Sequence, residues 1–244
     1  MVSMSTQYLK YALGAIILVV IGILIALQIS NWNQSLKDNN SLNEYLVKIK
    51  THTAEDIGQL EELSNGRKQI ADLCKKARNS ILDKTEKENM FLFMASGYAF
   101  ADYYFQPNSG GYESLKSSKY YGKINNTTID SLLARYHGLV DDIAGNEKSY
   151  NQYIVHLENY LDTRFDRSLI LASAFMSRDS LAAKATPQSE YDQVFMEYTS
   201  KPAYRNVISL AAWQFDTMIS QYALLTEIGH QIIVEIDVVT KQNT

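Results

Sequence analysis

The chain has 244 residues, 27 acidic against 23 basic side chains, a formal charge of −4 and a single cysteine. That length is enough for one ordinary domain with its own core, and the composition is neither disordered nor low in complexity. The acidic balance sets aside nucleic-acid binding, which needs a basic footprint, and a lone cysteine excludes any disulfide within the chain.

Residues 1–11 form a short polar tail, and an unbroken apolar run, ALGAIILVVIGILIALQI, follows from Ala12 to Ile29. A run of about 18 residues rises about 27 Å as a helix, enough to cross the hydrocarbon layer of a bilayer once. The rival reading is a cleaved signal peptide. The run leaves through Leu27, Gln28, Ile29, Ser30, Asn31 and Trp32, which lacks the small residues of a cleavage site, so an uncleaved anchor is expected over 12–31. Tyr8 and Tyr11 on one side and Trp32 on the other suit the headgroup zone. Lys10 stands before the run and Lys37, Lys48 and Lys50 after it, so the basic bias hardly distinguishes the two orientations. A short tail before one anchor and a long following domain predict a cytoplasmic amino terminus and an exported carboxy-terminal domain in the inner, cytoplasmic membrane. Ala15, Val19, Gly22 and Ala26 share one face of the span, so Ala15, Gly22 and Ala26 are candidate contacts for a second membrane helix. The alternative is the ordinary abundance of small residues in such helices.

The remainder, 32–244, is expected to be one exported helical bundle, with 32–83 as a stalk helix continuous with the span. Leu42, Leu46, Ile49, Thr53, Ile57, Leu60, Leu63, Ile70, Leu73, Ala77 and Ile81 recur mostly by threes and fours, which is helix spacing. Gly58, Gly66, Asp56 and Arg67 dilute that seam, so a first bundle helix is favoured over a strict coiled coil. A second helix over Glu86–Phe105, apolar on more than one side, is expected to be the most buried, and Pro107 with Gly110 and Gly111 should end it. A short helix over Tyr112–Lys119 and a turn over Tyr120–Asn126 lead to Thr127, the expected cap of a long helix reaching about Phe165. After a break near 163–167, Leu169–Met176 continues helically. Thr186 and Pro187 pattern as a cap and first helical residue, and Ser200 with Pro202 opens a terminal helix to about Val239. Only the β-branched run Ile232–Val239 rivals this pattern as a strand, and no fixed-period repeat is present. The expected fold class is all-α: one N-terminal transmembrane helix and a multi-helix bundle with long antiparallel helices.

No pattern specifies a reaction. His52, His137, His156 and His230 are scattered, and Glu227-Ile-Gly-His230 is the one Glu-x-x-His spacing, whereas a di-iron bundle needs two with further carboxylates. There is no phosphate-binding loop, no nucleophile elbow and no nucleophile beside a predicted base. The adjacent pairs Asp141-Asp142 and Glu61-Glu62 diverge on a helix and pattern as solvated faces. No catalytic, cofactor-binding or metal-binding residue is therefore assigned, and no cofactor. Cys74 patterns as a small residue on a packed face, with an intermolecular bridge as the alternative. The 17 tyrosines are the unusual quantity, since this ring tolerates half-burial and serves contact surfaces. Tyr98, Tyr103, Tyr104, Tyr112, Tyr120 and Tyr121 are the candidate partner or ligand surface.

The block from Tyr8 to Asn33, with Tyr8, Lys10 and Tyr11, the VVIGILIALQ span at Val19–Gln28 and the exit Asn31-Trp32-Asn33, resembles the opening of a bacterial family of single-span envelope proteins of unknown function. The likeness continues through Glu44–Lys50, Gly111–Ser118 and the pattern at Tyr204, Asn206, Tyr222, Leu224 and Leu225. Two departures are Ala15, where similar proteins carry an acid, and a less basic tail. The resemblance implies an envelope location and a helical exported domain, and it brings no activity, ligand or catalytic residue. The resulting expectation is a membrane-anchored helical interaction or scaffold module, not an enzyme. Its partners would be the lipid bilayer and a protein partner or second copy. The alternative is an extracytoplasmic ligand-sensing domain that acts through a partner membrane protein, because the short tail leaves no room for an output domain.

Overall fold

The computed structural model describes residues 3–175, 180 and 187–242. Among the described residues there is no strand, and seven α-helices follow in order: α1 Ser3–Asp83, α2 Met90–Ser96, α3 Gly110–Lys116, α4 Thr128–Asp162, α5 Ser168–Phe175, α6 Gln188–Ser200 and α7 Pro202–Gln242. The three prolines, at 107, 187 and 202, all lie at helix boundaries or in the loop before α3, so nothing breaks the ladder of the long helices. Thus α1 is one uninterrupted helix of 81 residues. Thr127 caps α4, its Oγ1 accepting from the Asp130 backbone N–H at 3.4 Å, and Pro202 opens α7 where its missing N–H costs nothing. The β-branched run at 232–239 is helical, with Ile232 and Ile236 buried.

The chain divides into two compact units. One is formed by Thr53–Asn108 and Ser131–Ile232. Here α4 runs in the same direction as α1, with Tyr136 beside Asp56 and Glu147 beside Arg67. Helix α7 runs against both, with Asp216 beside Lys75 and Tyr222 beside Arg67. Gly229 lets α7 come close to α1, since a Cβ there would lie 3.1 Å from Ile57 Cδ1. Leu60, Leu133, Phe215 and Leu225 are among the apolar side chains that fill this core.

The other unit is formed by Met1–His52, Ser109–Asp130 and Ile233–Thr244. Its α3 lies tight on α1: a Cβ at Gly111 would stand 3.1 Å from the Ile49 backbone nitrogen, and the Gly111 N–H donates to His52 Nδ1 at 3.0 Å. Leu42, Leu46, Leu115, Ile124 and Ile129 are buried, and Lys50 pairs with Asp237 at 2.6 Å.

The expected second helix differs most. A 3-10 turn over Glu86–Asn89, α2 and another such turn over Gly97–Phe100 replace one helix to Phe105. Beyond Ala101 the chain is not helical, because neighbouring side chains take its backbone donors. The Phe105 N–H donates to Glu147 Oε2 at 2.9 Å, Gln106 to Gln59 Oε1 at 2.5 Å and Asn108 to Asp56 Oδ1 at 2.8 Å. Nor is the segment the most buried, for Phe91 is 80% exposed while Phe93, Ser96 and Ala99 face inward. Pro187 precedes the first residue of α6, and the expected cap at Thr186 and helix end at Met176 lie outside the described residues.

Candidate functional site

From Tyr11 to Ile29 every residue of α1 is exposed, and none of its most apolar 18-residue stretch is covered by the other described residues. Leu13, Ile16, Leu18, Ile21 and Leu24 each show half or more of their surface. A contiguous apolar surface of this size marks an interaction with lipid or protein. Ala15, Gly22 and Ala26 all lie on this uncovered stretch, and nothing stands within 4 Å of a Cβ placed at Gly22. One helix among the described residues is long and apolar enough to cross a membrane.

The second unusual feature is a charged centre inside the unit built from 53–108 and 131–232. Arg67 is 1% exposed and Glu147 fully buried. Arg67 Nε donates to Tyr222 Oη at 2.8 Å and Nη2 to the Tyr103 carbonyl at 3.0 Å, with Glu147 Oε1 3.6 Å from Nη2. The Tyr222 hydroxyl donates in turn to Glu147. The guanidinium lies 4.8 Å from the Phe215 ring centroid, a cation–π contact. Burial pushes the Tyr222 phenol well above its usual range, the Glu147 carboxylate adding to the rise and Arg67 opposing it, so the hydroxyl keeps the proton that it donates. Three turns earlier on both helices, buried Asp56 accepts from Tyr136 Oη at 2.9 Å. These side chains hold α1, α4 and α7 in register and tie down the stretch after Ala101.

Arg67 Nη1 and Asn151 Oδ1 have no hydrogen-bond partner among the described residues, although Arg67 Nη2 and Asn151 Nδ2 both donate to the Tyr103 carbonyl. Gln59, Glu62, Leu63, Gly66, Arg67 and Tyr103 line a cleft of about 250 Å³. A Cβ at Gly66 would meet nothing within 4 Å. The cleft has the Arg67 guanidinium, paired with Glu147, in its wall and the Glu62 carboxylate on its exposed rim.

The candidate tyrosines divide between the units. Tyr98, Tyr103 and Tyr104 belong to one, with Tyr98 and Tyr104 exposed and Tyr103 in the cleft wall; Tyr112, Tyr120 and Tyr121 belong to the other and are half-buried. Many other tyrosines serve the core: Tyr150 donates to the Ala99 carbonyl at 2.7 Å and Tyr204 to that of Phe93 at 2.6 Å. Cys74 is fully buried, its thiol 3.8 Å from the Ser96 carbonyl, and burial pushes its pKa up to about 12. Such a thiol is poorly placed for an intermolecular bridge. Glu227 and His230 are both exposed on α7, and Glu227 accepts from Gln231 at 3.3 Å.

Sequence reasoning missed Asp56, Arg67, Glu147 and Tyr136 as a set. The available signal was two polar residues at inward positions of the α1 stripe, matched by Tyr136 and Glu147 at the same eleven-residue separation on α4. No curated protein and no solved structure matches the chain. A model of a family of unknown function (DUF6090) matches residues 15–165, from within the apolar stretch of α1 through the end of α4. The match covers more than half of the chain, including most of the exposed apolar segment, Asp56, Arg67 and Glu147, and the protein is a member of that family.

Proposed function

We propose that this protein is a membrane-anchored helical interaction module of the bacterial envelope. In this reading α1 crosses the cytoplasmic membrane once over residues 12–31, with the amino terminus inside and the helical part exported. The observation that carries it is the fully uncovered apolar stretch Tyr11–Ile29 on a helix whose later turns are packed. Hydrocarbon removes from water what the protein itself leaves bare, at roughly 25 cal/mol per Å². The packed helices then present the exposed aromatics Phe91, Tyr98 and Tyr104 to a protein partner or a second copy. The module holds or positions other proteins and performs no catalysis.

Orientation is tested with the buried Cys74 as a silent background. A cysteine placed at exposed Gln188 should react with a membrane-impermeant maleimide in intact spheroplasts. Labelling only after lysis would reverse the topology. Cross-linking in native membranes tests the interaction: a reproducible dominant product is expected, and random neighbours alone would refute the module.

The cleft beside Arg67 supports a second reading, an extracytoplasmic sensor of a small ligand acting through a partner membrane protein. A Cβ at Gly66 meets open space and Gly66 lines the cleft, so a sensor should lose its response in Gly66→Leu, whereas a scaffold should keep its cross-linked partner.

A further inference from the structure

The segment after α3 lies beside the part of α1 that leaves the apolar stretch. Lys119 Nζ is 3.4 Å from Asp38 Oδ1, and Lys123 Nζ donates to Asn39 Oδ1 at 3.0 Å. Because α1 is unbroken, height above the apolar segment can be counted along it. Asp38 stands nine residues beyond Ile29, about 13 Å at ~1.5 Å per residue. The headgroup layer on one side of a bilayer takes up roughly 5–7 Å of that. Lys119 and Lys123 therefore stand within the ~8–10 Å screening length of the lipid surface, and a lysine side chain reaches most of the remaining gap.

At this height the charges are unequal. Lys37, Lys119 and Lys123 are all exposed, and Lys119 keeps 67% of its side chain in solvent. Among the described residues, the acid beside these lysines on α1 is Asp38, held by Gln34 at 2.9 Å and by Lys119. Glu44 is six residues farther along α1, and Glu113 lies within a turn of Gly111, which is fixed to α1 at His52. Asp130 is engaged at the start of α4, accepting from the Asn126 N–H at 3.1 Å. Basic side chains thus collect at the end of this unit closest to the apolar span, on a chain whose total charge is acidic.

We propose that Lys37, Lys119 and Lys123 form a docking surface for anionic phospholipid headgroups of the same bilayer that α1 crosses. This rests on the membrane reading above. The lysines bind the headgroup phosphates as mobile point charges, and this seats the segment 117–126 on the membrane and fixes how the unit that contains it stands over the bilayer.

The test uses the full-length protein in nanodiscs of phosphatidylcholine alone or containing phosphatidylglycerol, with amide hydrogen exchange as the readout. Phosphatidylglycerol should slow exchange across 117–126 by about fivefold for each lysine engaged, and the protection should fade as salt is raised. The variant Lys37→Gln, Lys119→Gln, Lys123→Gln should lose the protection while exchange at the buried turns around Leu42 and Leu46 stays unchanged, showing intact packing. Equal exchange in both discs, or protection that survives in the variant, overturns the proposal alone. Protection induced by inorganic phosphate in phosphatidylcholine discs marks a general anion site and overturns the lipid assignment. A chain that enters neither disc overturns the membrane reading, and this proposal with it.

Discussion

Arg67 and Glu147 carry charges in a place where an isolated charge could not persist, and each is satisfied chiefly through Tyr222, the Tyr103 carbonyl and the Phe105 N–H. Removing one partner strands the other, so Arg67→Met should destabilise the protein by about 3–5 kcal/mol. Combining it with Glu147→Leu should cost less than the sum of the two single changes, with a coupling of about 1–3 kcal/mol. Denaturant unfolding in detergent measures both, and additive small losses would contradict the network. The buried phenols and thiol set a pH dependence. Burial raises Cys74, Tyr150 and Tyr222, and burial together with the Asp56 carboxylate raises Tyr136. Their neutral forms are favoured in the fold, so their stabilisation is complete below the unfolded values of about 8.5 for thiol and 10 for phenol. It is lost as pH rises through the folded values. The unfolding midpoint should therefore fall steadily above about pH 9, and Cys74→Ala should flatten the earliest part of that fall. In the sequence, Asp56 and Arg67 were visible only as flaws in an apolar stripe. Their partners lie 80 positions away on α4, as Tyr136 does from Asp56, and a pairing at that distance becomes visible only once helix direction and register are known.

At the level of elements, periodicity was sufficient wherever a helix has one wet and one dry face. Helices α1, α4 and α7 follow their stripes, and the Thr127 cap and Pro202 start stand where the pattern put them. The stretch after Phe100 was not legible, because its apolar content suits a helix while its conformation is decided by Gln59, Asp56 and Glu147 reaching in from other helices. Glycine separates two kinds of contact on α1. Gly66→Ala on α1 meets open space and should stabilise by about 0.5–1 kcal/mol by stiffening the unfolded chain. Gly111→Ala pushes a methyl group against the Ile49 backbone and should cost about 1–3 kcal/mol. Thermal unfolding of the two variants should move in opposite directions; a shift of the same sign would show that α3 does not depend on its close approach to α1.

For the whole molecule, the apolar run was the clearest message in the sequence, and the structure leaves Tyr11–Ile29 without cover from any other described element. The function of the packed part was far less legible, since an interaction surface is written in side chains from distant positions and no reaction signature is present to anchor a guess. As a membrane anchor, α1 would cross a bilayer and bring Trp32 to its interface. The chain has two tryptophans, Trp32 and the exposed Trp213, so Trp213→Phe leaves Trp32 as the single reporter. Depth-dependent quenching in bilayers of lipids brominated at different positions along their acyl chains measures its position directly. Efficient quenching of Trp32, strongest for bromines nearest the headgroup, is expected; Trp32 fluorescence untouched by bromines at any depth would rule out the membrane span.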